Sequence, residues 1–366
     1  MTSKRDTLIS DLIRKAHFMR YTLFPFRPRL VARHMKSRLA SLLGIGKGFR
    51  IIDLAITYRC NQFCQHCSAA PLAKQAAVLG LDDYRSIVAQ ADEHLDVLSW
   101  NITGGEPLLS DMLEELIPVL RPRDHFISVQ SNAVLLTARR ARRLARLGVN
   151  CITTSIDSSD ISEHDGFRGM KGAYAKTLEG LRHARAAGMQ VLVGGVVTHQ
   201  NLRTESLRTL IERVNAMGAI FLFNIATPSG RWKDSEQYLL RGDDRVYLRQ
   251  LMSRYPMTST DHEPGRNRIG CPAGMEKIYI TAYGDVIPCP FIHIAFGNVR
   301  DTALVDIVAC MQNVPFFSAY QDLCIAGESR EFHRQALKPL HDGRFTAFPV
   351  SYRHLFPAGD EHDRDR

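Results

Sequence analysis

The sequence has no apolar run of the roughly 18 residues that a membrane-crossing helix needs. Its beginning lacks a short apolar stretch followed by a small-residue cleavage site. These absences argue against an integral membrane protein and a secreted one, and the expected location is the cytoplasm. Acidic residues are scarce at one end. The first 50 residues hold only Asp6 and Asp11 against twelve Lys and Arg. The rest of the chain carries 35 basic and 36 acidic residues, so the formal charge of +9 belongs to an N-terminal arm and the body is near neutral. Such an arm suits a membrane surface, nucleic acid or an acidic partner.

With 45% hydrophobic and 23% charged residues over 366, the chain can bury a sizeable core, and disorder is excluded for its bulk. Eight cysteines stand at 60, 64, 67, 151, 271, 289, 310 and 324. In a long chain without a secretory signal they read as reduced thiols and metal ligands rather than disulfides.

Apolar, β-branched runs recur at 51–57, 97–103, 126–130, 151–156, 190–198 and 220–225. Between them lie segments of helical period at 82–94, 111–120, 137–147, 173–187 and 202–217, three of them stopped by Gly148, Gly188 and Gly218. Six such alternations predict a parallel α/β sheet or partial barrel. After about residue 230 the rhythm changes. Residues 234–255 read as a helix, 257–268 as a polar loop and 277–287 as a β-hairpin around Gly284, with helices at 301–311 and 329–337. The tail 339–366 is given no structure. In the arm, Pro25 and Pro28 divide two short amphipathic helices, which either pack on the barrel or meet a membrane surface or RNA phosphates.

The strongest chemical signal is Cys60-x3-Cys64-x2-Cys67, after the first strand. Three thiolates within eight residues can hold one metal ion or three irons of a cubane. Structural zinc usually takes four protein ligands, and His66 is wedged too tightly between Cys64 and Cys67 to be a good fourth. A [4Fe–4S] cluster held by three thiolates keeps one iron open, so cluster and zinc are the two readings. A second motif, Thr103-Gly104-Gly105-Glu106-Pro107, ends the second strand. Its glycines permit close backbone approach, and Glu106 can accept hydrogen bonds from an ammonium group. Alone it would be an ordinary turn.

Together the two motifs resemble the radical S-adenosylmethionine (SAM) superfamily over about residues 50–230. The resemblance implies a partial (β/α)6 TIM-type barrel. In it Cys60, Cys64 and Cys67 hold a [4Fe–4S] cluster whose open iron chelates SAM. Reductive cleavage of SAM then gives a 5′-deoxyadenosyl radical that abstracts a substrate hydrogen. It further implies that His66 lies near the adenine and that Gly104, Gly105 and Glu106 meet the methionine ammonium. Ser131 and Asn132 would meet the ribose, and Ser155 and Asp157 would end the fourth strand pointing inward. Arg168 would pair with the SAM carboxylate, and Val197 and Asn201 would present backbone to the adenine. The plainer readings are helix caps for Ser131, Asn132 and Asp157 and a surface ion pair for Arg168.

Cys271, Cys289 and Cys324, set around the hairpin, resemble the start of a SPASM or twitch extension, a small α+β module. The resemblance makes them ligands of one auxiliary [4Fe–4S] cluster. A fourth cysteine is missing, so the last position is open or filled by His293, Glu328 or substrate. Cys151 is expected in the barrel core. Cys310 falls in a helix among apolar residues and is the candidate hydrogen donor if it faces the barrel mouth.

The domains are then 1–49, the basic helical arm; 50–232, the barrel; 233–338, the extension; and 339–366, the tail. The expected activity is that of an oxidoreductase or epimerase acting on a small molecule such as a sugar or cyclitol-like alcohol. A flavodoxin- or ferredoxin-type protein would be the external one-electron reductant. Maturation of a ribosomally made peptide is the alternative within the family. It is lowered by the short segment before the first barrel strand, which leaves little room for a leader-binding module. A lipid-linked or RNA substrate recruited by the arm, at a membrane periphery for example, is a further one. A zinc-stabilised nucleic-acid-binding scaffold is the alternative of another class.

Overall fold

A computed structural model describes residues 27–43, 49–260 and 270–356. The first half of the arm lies outside them, and so does the end of the tail. Helix α1 (Pro28–Leu42) precedes β1 (Ile51–Thr57). Then come α2 (Leu81–His94), β2 (Ser99–Gly104), α3 (Leu113–Val119), β3 (Phe126–Gln130), α4 (Ala138–Leu147) and β4 (Cys151–Ser155). These are followed by α5 (Ile161–Arg168), α6 (Ala173–Ala186), β5 (Gln190–Val197), α7 (Glu205–Ala216) and β6 (Ile220–Ile225).

Strands β1 to β6 pair in sequence order and in parallel. Alternation then sorts the side chains. Ile52, Leu54, Trp100, Ile102 and Val129 face outward into the core formed with the helices. Asp53, Asn101, Ser128, Thr153 and Ser155 have the opposite parity and face the lumen. Two helices start from threonine caps: Thr137 accepts from the Arg140 N–H, and Thr204 from the Leu207 N–H. Gly148 ends α4 in the left-handed conformation, as its place after the helix predicts.

The expected barrel is present, and the sheet extends beyond it. After α8 (Gly242–Arg254), β7 (Thr258–Thr260) pairs in parallel with β6, where the sequence reads as a polar loop. The predicted hairpin is β8 (Lys277–Ile280) and β9 (Asp285–Ile287), but it does not stand apart. β8 pairs in parallel with β1. Short strands β10 (Ile294–Ala295) and β11 (Gly297–Asn298) follow, and β11 joins β9. The result is one ten-stranded sheet, open between β11 and β7. α9 (Leu304–Gln312) packs on α2 outside the barrel.

The tail differs from expectation. Residues 350–351 form β12, which pairs with β10, and Phe345, Phe348, Tyr352 and Phe356 pack on the main core. Aromatic anchors spaced irregularly give no periodic signal, yet each buries enough apolar surface to hold its segment.

The arm's described helix closes the barrel bottom, the N-terminal end of the strands. Leu30 is buried against Phe126, Cys151 and Ile220, each the first residue of its strand. Arg27 donates to the Pro122 and Gly148 carbonyls and to Asn150. Arg33 pairs with Asp92 at 2.8 Å, and Asp92 also receives His125. The described part of the arm therefore packs on the barrel. Cys151, fully buried here, lies in the core as expected.

Candidate active site

The candidate site lies at the opposite end, where β1 to β6 finish. The loop carrying Cys60, Cys64 and Cys67 leaves β1 and is held by three turns from distant parts of the chain. The first is the Gly-Gly-Glu-Pro turn. Gly105 N–H donates to the Thr57 carbonyl and Glu106 N–H to the Arg59 carbonyl. A Cβ on Gly104 would stand 2.1 Å from the Thr57 oxygen, and one on Gly105 2.4 Å from the Arg59 oxygen. Both positions exclude any side chain because the two loops touch backbone to backbone. The second clamp is the end of α5, where Phe63 N–H and Gln65 N–H donate to the Arg168 and Phe167 carbonyls. The third follows β6. Arg231 donates from its backbone to the Cys67 carbonyl and from its guanidinium to the Cys64 carbonyl. Gly230 sits so close that a Cβ would lie 2.2 Å from the Cys67 oxygen.

Glu106 is fully buried and accepts from Ser131 Oγ at 2.7 Å, from Asn132 N–H at 2.8 Å and from Leu108 N–H at 2.9 Å. Burial raises its carboxyl above the ordinary value even against these three donors. Glu106, Ser131 and Asn132 therefore form one unit tying the ends of β2 and β3. Asn132 extends it to the cysteine loop by donating to Asn61 at 2.7 Å.

Arg168 and Asp157 form a second unit. Arg168 Nε donates to Asp157 Oδ2 at 2.7 Å, and its other arm reaches Cys64 Sγ at 3.7 Å. Both residues are buried, so this is no surface pair. Burial alone would raise the Asp157 carboxyl. Arg168, then His66 and His164, outweigh it and hold the carboxyl below its usual value. The pair places a compensated cation beside a cysteine sulfur. His66 stacks on Phe167 at 4.6 Å and tilts against Trp232 at 5.6 Å. Burial, reinforced by Arg168, pushes its imidazole down to about 4, so it is neutral near pH 7.

Not every expected residue reaches the mouth with a free group. Ser155 does, half-buried at the end of β4. Val197 is fully buried and its carbonyl accepts from Ala226 N–H. Asn201 spends its side chain on the Val196 carbonyl and the Thr198 N–H. Both brace the β5–α7 turn instead of presenting free backbone. Cys310 lies half-buried on α9, with the Arg353 side chain beside it. α9 packs on α2 outside the barrel, which sets Cys310 on a helix away from the strand ends.

The second set of cysteines does converge. Cys271, Cys289 and Cys324 line one cavity with Lys277, Phe291 and Ile225, the last residue of β6. Cys271 N–H donates to the Gln321 carbonyl, bringing the segment before the hairpin to the one before Cys324. Burial pushes the Cys289 thiol up to about 12, and Cys271 beside it adds to the shift. Burial likewise raises Cys324 well above its ordinary value. Of the two proposed fourth ligands, His293 turns toward Phe348 and the Pro290 carbonyl. Glu328 pairs with Arg245 at 2.6 Å and accepts from Cys324 N–H.

None of these six cysteines is in a disulfide. Among the described residues no three His, Cys, Asp or Glu side chains gather closely enough for a single metal ion. A cubane does not need such single-ion geometry, because it takes each thiolate on a different iron. Both sets fit iron–sulfur clusters.

Residues 54–214 match the model of the radical SAM superfamily. The chain belongs to that superfamily. Residues 271–325 match SPASM, an iron–sulfur cluster-binding domain, so this radical SAM protein carries a SPASM extension. Its cofactors are SAM, the SAM-binding [4Fe–4S] cluster and an auxiliary Fe–S cluster.

Among its relatives, the AdoMet-dependent heme synthase of Nitratidesulfovibrio vulgaris is 27% identical over 70% of this chain and 78% of that protein. The mycofactocin maturase MftC of Mycobacterium tuberculosis is 27% identical over 67% of this chain and 66% of that protein. The solved structure of Streptococcus suis SuiB bound to precursor peptide SuiA has a TM-score of 0.59 at 16% identity. It covers 78% of this chain and 70% of that one, and the likeness is one of fold.

Four kinds of site residue escaped the sequence reading. They are the clamp residues Gly230 and Arg231, the ring neighbours Phe167 and Trp232, the tether Asn61, and the lumen pair Asp53 and Lys277. Only Asp53 left a signal, a lone acid inside an apolar strand.

Proposed function

We propose that this radical SAM enzyme oxidises a small polar molecule and passes the substrate's second electron to the auxiliary cluster. One observation carries the reading. Lys277 pairs with Asp53 of the lumen at 3.2 Å and also lines the cavity of Cys271, Cys289 and Cys324. A single side chain thus adjoins both the barrel interior and the auxiliary site.

The lumen is polar where an apolar substrate would need it dry. Asn101 donates to Asp53 at 2.9 Å, and Thr103 donates to Gln130 at the rim. Polar groups arranged in this way select a ligand that brings matching donors and acceptors, since an apolar one would leave them unpaired. When bound, the SAM cluster and SAM supply a 5′-deoxyadenosyl radical that removes one hydrogen atom from the substrate. Net oxidation then requires one further electron and one proton to leave the substrate radical. The extension cavity beside Ile225 supplies a place for the electron, and the Asp53 carboxylate a base facing the lumen. Cys64, Arg168 and Asp157 would hold the SAM end of the site, and Glu106 would fix the turn that meets the methionine ammonium. His66 would offer a neutral ring beside the adenine. With Cys310 on the outside, epimerisation lacks its candidate hydrogen donor. The external reductant would be a flavodoxin or ferredoxin.

The names of relatives allow a second reading, maturation of a peptide, because a PqqA peptide cyclase of Streptomyces rochei is also similar, at 27% identity over 65% of this chain and 68% of that protein. The test is anaerobic turnover with SAM, reductant and pools of polyols, amino sugars and peptides. Products are read as 5′-deoxyadenosine and as substrate mass. The proposal expects a loss of two mass units from a small polar molecule, with Cys289→Ala retaining 5′-deoxyadenosine formation and losing that product. Stimulation by peptides alone would sink it.

A further inference from the structure

Helix α1 carries apolar side chains on both of its faces. Leu30, Arg33 and Ser37, at helical spacing, turn toward the barrel, and Ser37 is buried at 1% exposure. On the opposite side Met35, Leu39 and Leu43 form an i, i+4, i+8 row with 67%, 59% and 63% of their surface exposed. An isolated Leu on a surface needs no explanation, but a row of three opposite the helix's buried face does.

The surroundings of the row are basic. Every charged residue from 27 to 50 is Lys or Arg. Lys36 and Arg29 are exposed on the flank of the row. The acids nearest the helix are engaged: Asp92 and Asp96 lie against Arg33, and Asp124 lies against Arg121 at 2.8 Å and, at 4.0 Å, against the exposed Arg29. At the same end of the barrel, exposed Arg142 and Arg146 border a shallow cleft with Ala186 and Ala187.

We infer that this bottom face docks on an anionic lipid bilayer, with Met35, Leu39 and Leu43 entering the interface and Lys36, Arg29, Arg142 and Arg146 meeting the headgroups. An apolar row edged by cations is the pattern of an interfacial helix. Nucleic acid would use the cations and leave the apolar row wet. A second copy would bring a like-charged face. Residues 1–26, with five basic and two acidic residues, would also bring excess positive charge. No helix among the described residues is long and apolar enough to cross a membrane, so the attachment is peripheral. The strands' C-terminal ends point the other way. The docked enzyme opens its mouth to the aqueous side, which favours a dissolved substrate over one anchored in the same membrane.

The test is flotation of the full-length, cluster-loaded chain with phosphatidylcholine vesicles, with and without phosphatidylglycerol. Binding is expected only with the anionic lipid, and it should weaken with salt. Met35→Glu with Leu39→Glu should weaken it at least about tenfold, and Lys36→Ala about fivefold. Both variants should keep wild-type 5′-deoxyadenosine formation in solution. Absence of flotation by the wild-type chain would overturn the inference, as would undiminished flotation of the double variant. A lower Tm or an altered oligomeric state in the double variant would also overturn it, by showing that the row is covered by this chain or a second copy.

Discussion

The two ends of the barrel use the same strands for different purposes. At the bottom, β3, β4 and β6 begin with Phe126, Cys151 and Ile220, and Leu30 seals them. The acid Asp92 is held there by Arg33, Arg121 and His125 together. At the mouth the strands run out into glycine turns, cysteines and buried polar units, each tying one loop to another. Side-chain packing secures the first end. Backbone contact secures the second, where Gly104, Gly105 and Gly230 let loops meet without side chains between them. Changes at the bottom should therefore cost stability and spare chemistry, and changes at the mouth should do the reverse.

The largest expected effect is at the mouth. Cys64→Ala should abolish SAM cleavage, with 5′-deoxyadenosine falling to background while the circular dichroism spectrum stays that of the wild type. Retained cleavage would break the contrast at its strongest point. Gly230→Ala comes next. The new Cβ would meet the Cys67 carbonyl at a backbone of φ +62°, so about 1–3 kcal/mol of strain falls on the cysteine loop. Iron retained per chain should drop more than the melting temperature does.

At the bottom, Leu30→Ala should destabilise the fold by about 2–5 kcal/mol in denaturant titration. SAM cleavage per folded molecule should not change. The smallest effect concerns pH. Burial alone would raise the Asp92 carboxyl, but His125, Arg33 and Arg121 outweigh it and hold the group below the ordinary carboxylate value. The charged form is thus favoured by folding. Its contribution is fully present above the unfolded value and is lost as pH falls through the lower folded one. Asp92→Asn should flatten that acid limb of the stability curve. An unchanged limb would assign the acid sensitivity to other groups.

Much of this contrast was legible in advance. Cys60, Cys64 and Cys67 are local in sequence, and so is Gly104–Pro107, so their chemistry showed before any contact was known. The βα alternation followed from β-branched runs separated by helical periods. What joined distant segments did not show. β7 is Thr-Ser-Thr, a polar triplet that becomes a strand only because the β6 edge accepts it. β8 pairs with β1 across more than 200 residues, and no local pattern announces that partner. The family resemblance assigns Val197 and Asn201 to the adenine. The structure uses their polar groups internally instead. Cys310 illustrates the same limit, since helical period places it on a helix without saying which way the helix faces the barrel.

The central claim is that two separate cysteine triads hold two clusters and that only the first is needed to cleave SAM. Iron and acid-labile sulfide should be counted per chain after anaerobic reconstitution, with zinc measured in the same sample, for the wild type and for Cys289→Ala. The account predicts about eight irons in the wild type and about four in the variant, which still forms 5′-deoxyadenosine. About four irons in the wild type, or zinc in place of iron, would contradict it.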